Sequence, residues 1–223
     1  MKVKVVNYMI GTVSALAGII FLIYLGINTL LIQDSFLNYT NEKYGIAERL
    51  AMEEDDLREA VHAMIAYVEG NIEDAQIVLP IAGQDTEFFN EKELIHLKDV
   101  RDVLALIERI AIGCLCACVL GEIYLVISKS GRETLSGIWI AWGIMLVATL
   151  VIAVIAINDI NKIVVGFHEL FFTNDLWLLN PKTDRSVWMF TNEMYGDALV
   201  RIAGIVGVTA LVTLGSTLVV KKK

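Results

Sequence analysis

Four stretches of the chain are almost unbroken in apolar residues, and the polar residues gather between them. They run from about Val6 to Ile32, Val103 to Ile127, Leu135 to Ile157 and Ile202 to Val220. A helix needs about 20 apolar residues to cross a hydrocarbon core roughly 30 Å thick, and each stretch meets that length. The first could pass for a secretory signal, because Ala15-Leu16-Ala17 resembles a cleavage site and lysines precede it. The apolar run continues past that site through Ile19, Phe21 and Leu30. A signal core of roughly 7–15 residues does not extend so far, so a retained anchor is expected.

The segments between the spans carry patterns of their own. Leu57, Val61, Met64, Ile65 and Val68 fall at helical spacing and predict an amphipathic helix, which Gly70 then stops. Asn90-Glu91-Lys92-Glu93 reads as a capping box, with the cap at Asn90 and the reciprocal carboxylate three residues later. No breaker follows before Gly113, so one helix is expected from about Glu91 straight into the second span. His96 would then stand about seven residues, roughly 10 Å, before the apolar stretch, at headgroup level. Ser128-Lys129-Ser130-Gly131-Arg132 predicts a tight turn that makes a hairpin of the second and third spans, and Gly204, Gly207 and Gly215 give the fourth span a small-residue side.

The segment before the fourth span is rich in aromatics: Phe167, Phe171, Phe172, Trp177, Trp188, Phe190 and Tyr195. An interfacial belt accounts for Trp and Tyr at helix ends. It does not account for Phe167-His168-Glu169-Leu170-Phe171-Phe172, which is too apolar for a solvated loop and too short to span. This piece reads as a segment lying in, or dipping into, the outer interface.

The expected architecture is an all-α membrane protein of four transmembrane helices with a mostly helical extracellular cap. Its divisions are 1–32 for the N-terminal segment and first span, 33–102 for a cap loop, and 103–127 for the second span. A turn at 128–134, a third span at 135–157, an aromatic-rich outer loop at 158–198, and a fourth span with tail at 199–223 complete the order.

Composition agrees. Hydrophobic residues make up 56% of the chain and mean hydropathy is +0.62, too apolar to hide in one soluble core. The net charge of −8 is unevenly placed. Acids far outnumber Lys and Arg in 33–102 and in 158–198. Lys2, Lys4, Lys129, Arg132, Lys221, Lys222 and Lys223 mark the other face, against Glu133 alone. Lys/Arg bias in short loops sets orientation, so both termini and the 128–134 turn are expected in the cytoplasm, with the acidic loops outside. Such loops repel phosphates and argue against a nucleic-acid partner. Cys114, Cys116 and Cys118 share one apolar stretch, where they read as small packing residues with no outer cysteine to pair with.

All three histidines fall in the outer segments. His62 lies off the apolar stripe of its helix and reads as a surface residue. His96 and His168 sit at similar depth, beside Asp99, Glu169 and Asp175. Histidine takes and gives protons near neutral pH, so two together can act as base and acid, or can anchor their helices at the interface. His168-Glu169 opens like a zinc-protease helix, but the second histidine of that motif is replaced by Phe172; no metal or other cofactor is expected, the alternative being that His96, His168 and one carboxylate meet as ligands from separate segments. The chain has no Ser-centred elbow and no glycine-rich phosphate loop.

Phe89-Asn90-Glu91-Lys92-Glu93-Leu94-Ile95-His96-Leu97-Lys98-Asp99-Val100 resembles a stretch shared by a family of bacterial four-span membrane proteins. Gly166-Phe167-His168-Glu169-Leu170-Phe171-Phe172 does too, with Asn174-Asp175, Trp177 and Pro181-Lys182-Thr183-Asp184 after it. The family includes the lipoprotein intramolecular transacylase. Its pattern before the last span, Leu-Pro-Glu-x-Phe-Phe, is matched here by Phe190-Thr191-Asn192-Glu193-Met194-Tyr195, which keeps the Glu and an aromatic but lacks the proline.

The resemblance implies a bacterial cell-membrane acyltransferase that moves the sn-2 acyl chain of a diacylglyceryl lipoprotein to the α-amino group of its N-terminal cysteine. It also implies that His96 and His168 are catalytic. Phe89, Asp99, Phe167, Phe171, Phe172, Asn174, Asp175 and Trp177 would contact the substrate, with membrane lipid as neighbour. The competing expectation is a non-enzymatic sensor, assembly factor or transporter accessory that binds a partner through its outer loops.

Overall fold

A computed structural model describes residues 2–30 and 32–220; Lys221, Lys222 and Lys223, which enter the orientation argument, lie outside them. The helices in chain order are α1 (Lys2–Leu30), α2 (Asp34–Lys43), α3 (Ile46–Leu50), α4 (Glu54–Val68), α5 (Glu91–Ile127), α6 (Gly131–Asn158), α7 (Ile160–Phe171) and α8 (Asn192–Val220). Strands β1 (Val78–Ile81) and β2 (Gln84–Glu87) stand between α4 and α5, and a short 3-10 turn, Ser186–Met189, precedes α8. Among the described residues, α1, α5, α6 and α8 are long and apolar enough to cross a membrane. The protein is a four-span, all-α membrane protein.

The chain divides into two compact units, Met1–Ile27 with Glu108–Asn158 and Arg201–Lys223, and Asn28–Ile107 with Asp159–Val200. In the first unit, Ala15, Ile19, Ala141 and Trp142 form a small buried cluster with Leu16, Ile138 and Val206 against it. Glycine permits the close approach of α1 and α6. A Cβ at Gly11 would lie 2.7 Å from the Glu133 carbonyl oxygen, and one at Gly137 would collide with the backbone of Gly11. Polar side chains pair within this unit: Asn7 donates to Ser130 Oγ at 2.7 Å, and Trp142 donates to Thr213 Oγ1 at 2.7 Å. Lipid offers no hydrogen bonds, so each such group needs a partner inside the protein.

The second unit has a larger core, in which Phe36, Ile46, Leu57, Val61, Met64, Leu79, Phe88, Phe89, Leu97 and Met189 are buried together. The stripe Leu57–Val61–Met64–Ile65–Val68 is the buried face of α4, and Gly70 follows it with a positive φ of 82°. Helices α2 and α3 and the hairpin go beyond what periodicity foresaw. Left-handed residues Gly45 and Ala51 bracket the five-residue α3. The tip residue Ala82 donates its N–H to the Ala51 carbonyl at 2.8 Å, fixing the hairpin to that turn.

Candidate functional site

The polar start of α5 is built first, because it positions His96. Asn90 Oδ1 accepts from the Glu93 N–H at 3.0 Å, and Glu93 Oε2 accepts from the Asn90 N–H at 2.9 Å, a reciprocal capping box. The other Glu93 oxygen accepts from the N–H and the hydroxyl of Ser186, at 2.6 and 2.7 Å. Glu93 is only 1% exposed, and those bonds replace the water it gives up. Asp184, also buried, accepts from the Asn90 amide, the Thr183 hydroxyl and the Asn180 N–H, with Lys92 at 3.4 Å. Burial pushes the Asp184 carboxyl up, but those donors and the Lys92 charge outweigh it and hold the group below its usual value. Two buried carboxylates thus clasp the first turn of α5 to the 180–186 segment.

Helix α7 begins at a true cap, Asp159, whose side chain accepts from the Asn161 N–H at 3.0 Å. It is strongly amphipathic, and none of its residues is buried. The helix ends where Phe172 turns extended at φ −111° and ψ 138°. The segment read as an interfacial stretch is therefore the end of a helix whose last turns carry Phe167, His168 and Phe171.

The rings of His96 and His168 lie 5.8 Å apart between centroids. Phe172 stands against both, at 5.2 and 5.3 Å. Trp177 stacks on His168 at 4.8 Å and 29°, and Phe167 meets His168 edge-on at 5.7 Å. Phe167 packs on Phe171 at 4.8 Å, which brings that ring to the edge of the group.

The two histidines have different surroundings. His168 Nδ1 lies 2.7 Å from the carbonyl of Val164, one turn back on α7. A carbonyl can only accept, so Nδ1 carries a proton, and whenever the ring is neutral its lone pair is at Nε2. His96 is 9% exposed, and its Nδ1 is buried without a hydrogen-bond partner. It belongs to the polar start of α5, before the apolar stretch that begins at Val103. Burial, the neighbouring His168 and Lys92 lower its pKa to about 4, against the opposing pull of Asp99. His96 is neutral at pH 7.

One turn past His96, Asp99 accepts from the Asn174 amide at 2.8 Å. These two residues, with Asp102, Val103, Leu106, Phe171, Phe172 and Thr173, line an open cavity of about 230 Å³. Its lining is partly aromatic and aliphatic and partly polar, and Phe172, which lines it, also packs on both histidines.

Of the expected site residues, His96, His168, Phe167, Phe171, Phe172 and Trp177 converge, with Asp99 and Asn174 beside them. Asp175 is exposed and does not line the cavity. Phe89 does not join the group. Its ring is fully buried in the core of the second unit, edge-on to Phe88 at 4.9 Å. His62 is a surface residue held by Asp34 at 2.6 Å, a contact that raises its pKa. Among the described residues, no group of three or more His, Cys, Asp or Glu side chains converges as metal ligands would. Sequence reasoning passed over Asp102, although it lies three residues after Asp99 and so on the same helix face. It also passed over Ser186, for which no local pattern gives a signal.

Residues 12–195 match the family model of the lipoprotein intramolecular transacylase Lit. The chain belongs to that family. Lit from Bacillus cereus, solved in meso, is similar in structure, with a TM-score of 0.76 and 23% identity over 97% of each chain. Two solved variants of the same protein, each with one histidine replaced, by arginine and by alanine, superpose with a TM-score of 0.75. They are 19% and 20% identical, cover 97% of this chain in both cases, and are themselves covered over 92% and 94%. No curated protein matched significantly. As a member of the Lit family the protein is a membrane transacylase, a transferase acting on lipoproteins.

Proposed function

We propose that this Lit-family protein moves the sn-2 acyl chain of a diacylglyceryl lipoprotein to the α-amino nitrogen of the N-terminal cysteine, with His168 as base and His96 as donor. One observation carries the assignment: the Val164 carbonyl holds the His168 Nδ1 proton, leaving Nε2 free beside a second, neutral imidazole.

The chemistry requires two protons to leave the substrate's ammonium. The first passes through His168 to solvent and yields the nucleophilic amine. That nitrogen attacks the ester carbonyl and forms a tetrahedral intermediate. The second proton travels from nitrogen to the departing glyceryl oxygen through His168, while the neutral His96 ring donates an N–H to the same oxygen as charge develops on it. The N–acyl bond forms, the ester C–O bond breaks, and no covalent enzyme intermediate is needed. From nitrogen to carbonyl carbon the reacting atoms close a ring of about eight members, which forms reluctantly in a free chain. Holding such a chain folded contributes on the order of 7–11 kcal/mol. The rings of Phe167, Phe172 and Trp177 around the histidines suit that task.

The Lys/Arg bias supports an orientation with the second unit outside and both termini in the cytoplasm, in a bacterial cell membrane. The test is tandem mass spectrometry of a reporter lipoprotein made with and without this protein. The expected product carries one acyl chain on nitrogen and one on glycerol. A reporter that keeps both chains on glycerol overturns the reading.

A further inference from the structure

The 230 Å³ cavity beside the histidine pair has a mixed lining that the acyl shift does not use. Val103, Leu106, Phe171 and Phe172 give it apolar lining, and Asp99 and Asp102 add two carboxylates. No Lys or Arg lines it. Neither carboxylate enters any ion pair among the described residues, and the one polar contact, from Asn174 to Asp99, carries no charge. Asp102 is exposed and has no hydrogen-bond partner among the described residues. His96, on α5 one turn before Asp99, adds a buried nitrogen that also lacks a partner. Phe172 walls the cavity and packs on that imidazole at 5.2 Å, so the two are neighbours. The combination fits a ligand that is cationic at one point and apolar beside it, next to a ring that can exchange a proton.

Taking the acyl shift as the reaction, we propose that Asp99 and Asp102 bind the free α-ammonium of the lipoprotein's N-terminal cysteine and thereby distinguish substrate from product. The substrate enters as a cation with its thioether and acyl chains against the apolar wall. When His168 has taken the first proton, the carboxylates accept hydrogen bonds from the N–H groups that remain, and the lone pair points at the ester. Amide formation then removes the charge for good. The product has nothing to offer two carboxylates, so the site binds it more weakly than the substrate and clears. The same device admits only lipoproteins whose amine is still free, which places this enzyme ahead of any reaction that would acylate that nitrogen from another donor.

The experiment uses a synthetic diacylglyceryl-cysteine lipopeptide with ether links in place of esters, which binds without reacting. Its affinity for the full-length protein in phosphatidylglycerol nanodiscs is compared with that of its N-acetylated form by calorimetry. The parent is expected to prefer the free amine by about fivefold, the effect of one partly exposed charge pair. Asp102→Asn is expected to lose most of that preference without weakening the N-acetyl form, and Asp102→Glu to keep it. Equal binding of the two forms by the parent overturns the proposal, as does an undiminished preference in D102N or its loss in D102E. A membrane amine is the other source of the same chemistry. If phosphatidylethanolamine in the nanodisc abolishes the preference, the site serves lipid and the proposal fails. Turnover of the ester lipopeptide is followed in parallel. Turnover without preference sinks the ammonium site alone, whereas absence of turnover sinks the acyl shift itself.

Discussion

Replacing His168 or His96 with alanine should lower formation of the N-acylated product by about 10²–10⁴-fold, the usual contribution of a positioned acid or base. The protein should still insert, since insertion rests on the four apolar spans rather than on two rings outside the apolar stretches. The double variant should be scarcely slower than either single one, because residues acting as a unit lose activity non-additively. His62→Ala should be silent, as its side chain is exposed and its polar contact is Asp34 at 2.6 Å. The reporter's mass spectrum decides all of these, and a single variant working at the parent rate would end the two-histidine account. His96 adds a pH prediction. Its folded pKa, about 4, lies below the ordinary value of 6.5, so the unfolded chain binds the extra proton between those pH values. Stability should therefore be full above about 6.5 and fall as pH drops towards 4. Thermal melts in detergent at both ends of that window should show the loss in the parent and much less of it in His96→Phe.

At the scale of elements, the clasp at the start of α5 is the sharpest case. Glu93→Ala leaves the buried Ser186 N–H and hydroxyl and the half-buried Asn90 N–H without acceptors, and should cost about 2–4 kcal/mol. Slow amide exchange over Leu94–Val103 should become fast in that variant; unchanged protection would show that the clasp does not hold the helix end. Half of this arrangement was legible in advance. A capping box is a local pattern, so Asn90 and Glu93 announced the helix start. Ser186 is far away in sequence, and only folding brings it to the carboxylate. The hairpin escaped for a similar reason: Gln84–Glu87 is polar at nearly every position, and its register is set by the left-handed tip and the bond to Ala51 rather than by alternation. Phe89 misled because apolar residues beside a site motif look the same whether they face a ligand or a core. In the first unit, Gly137→Leu should be poorly tolerated, since the α1 backbone already occupies the space a side chain needs; overpacking of this kind costs about 1–3 kcal/mol or more. A lowered melting temperature in detergent is the expected result.

For the whole molecule, the four spans were readable from length and apolarity alone, because the bilayer leaves a chain so few options. Orientation rests on charge, and labelling tests it. A cysteine at Asp56 or Lys182 should react with an impermeant reagent on intact cells, and one at Arg132 only after lysis. Ser130, in the same turn, is a poor reporter because it is buried against Asn7. Outside labelling at position 132 would invert the molecule. Helix α7 carries a consequence of a different kind. None of its residues is buried by the protein, and Val165, Phe167 and Leu170 are exposed apolar side chains. We expect lipid to cover them, and the same helix supplies the Val164 carbonyl that accepts from His168 Nδ1. On the proposed mechanism the bilayer would then be a component of the catalyst rather than its container. Solubilised in short-chain detergent, the protein should keep its fold and lose its rate, and transfer into bilayers should restore the rate without any change in chemistry.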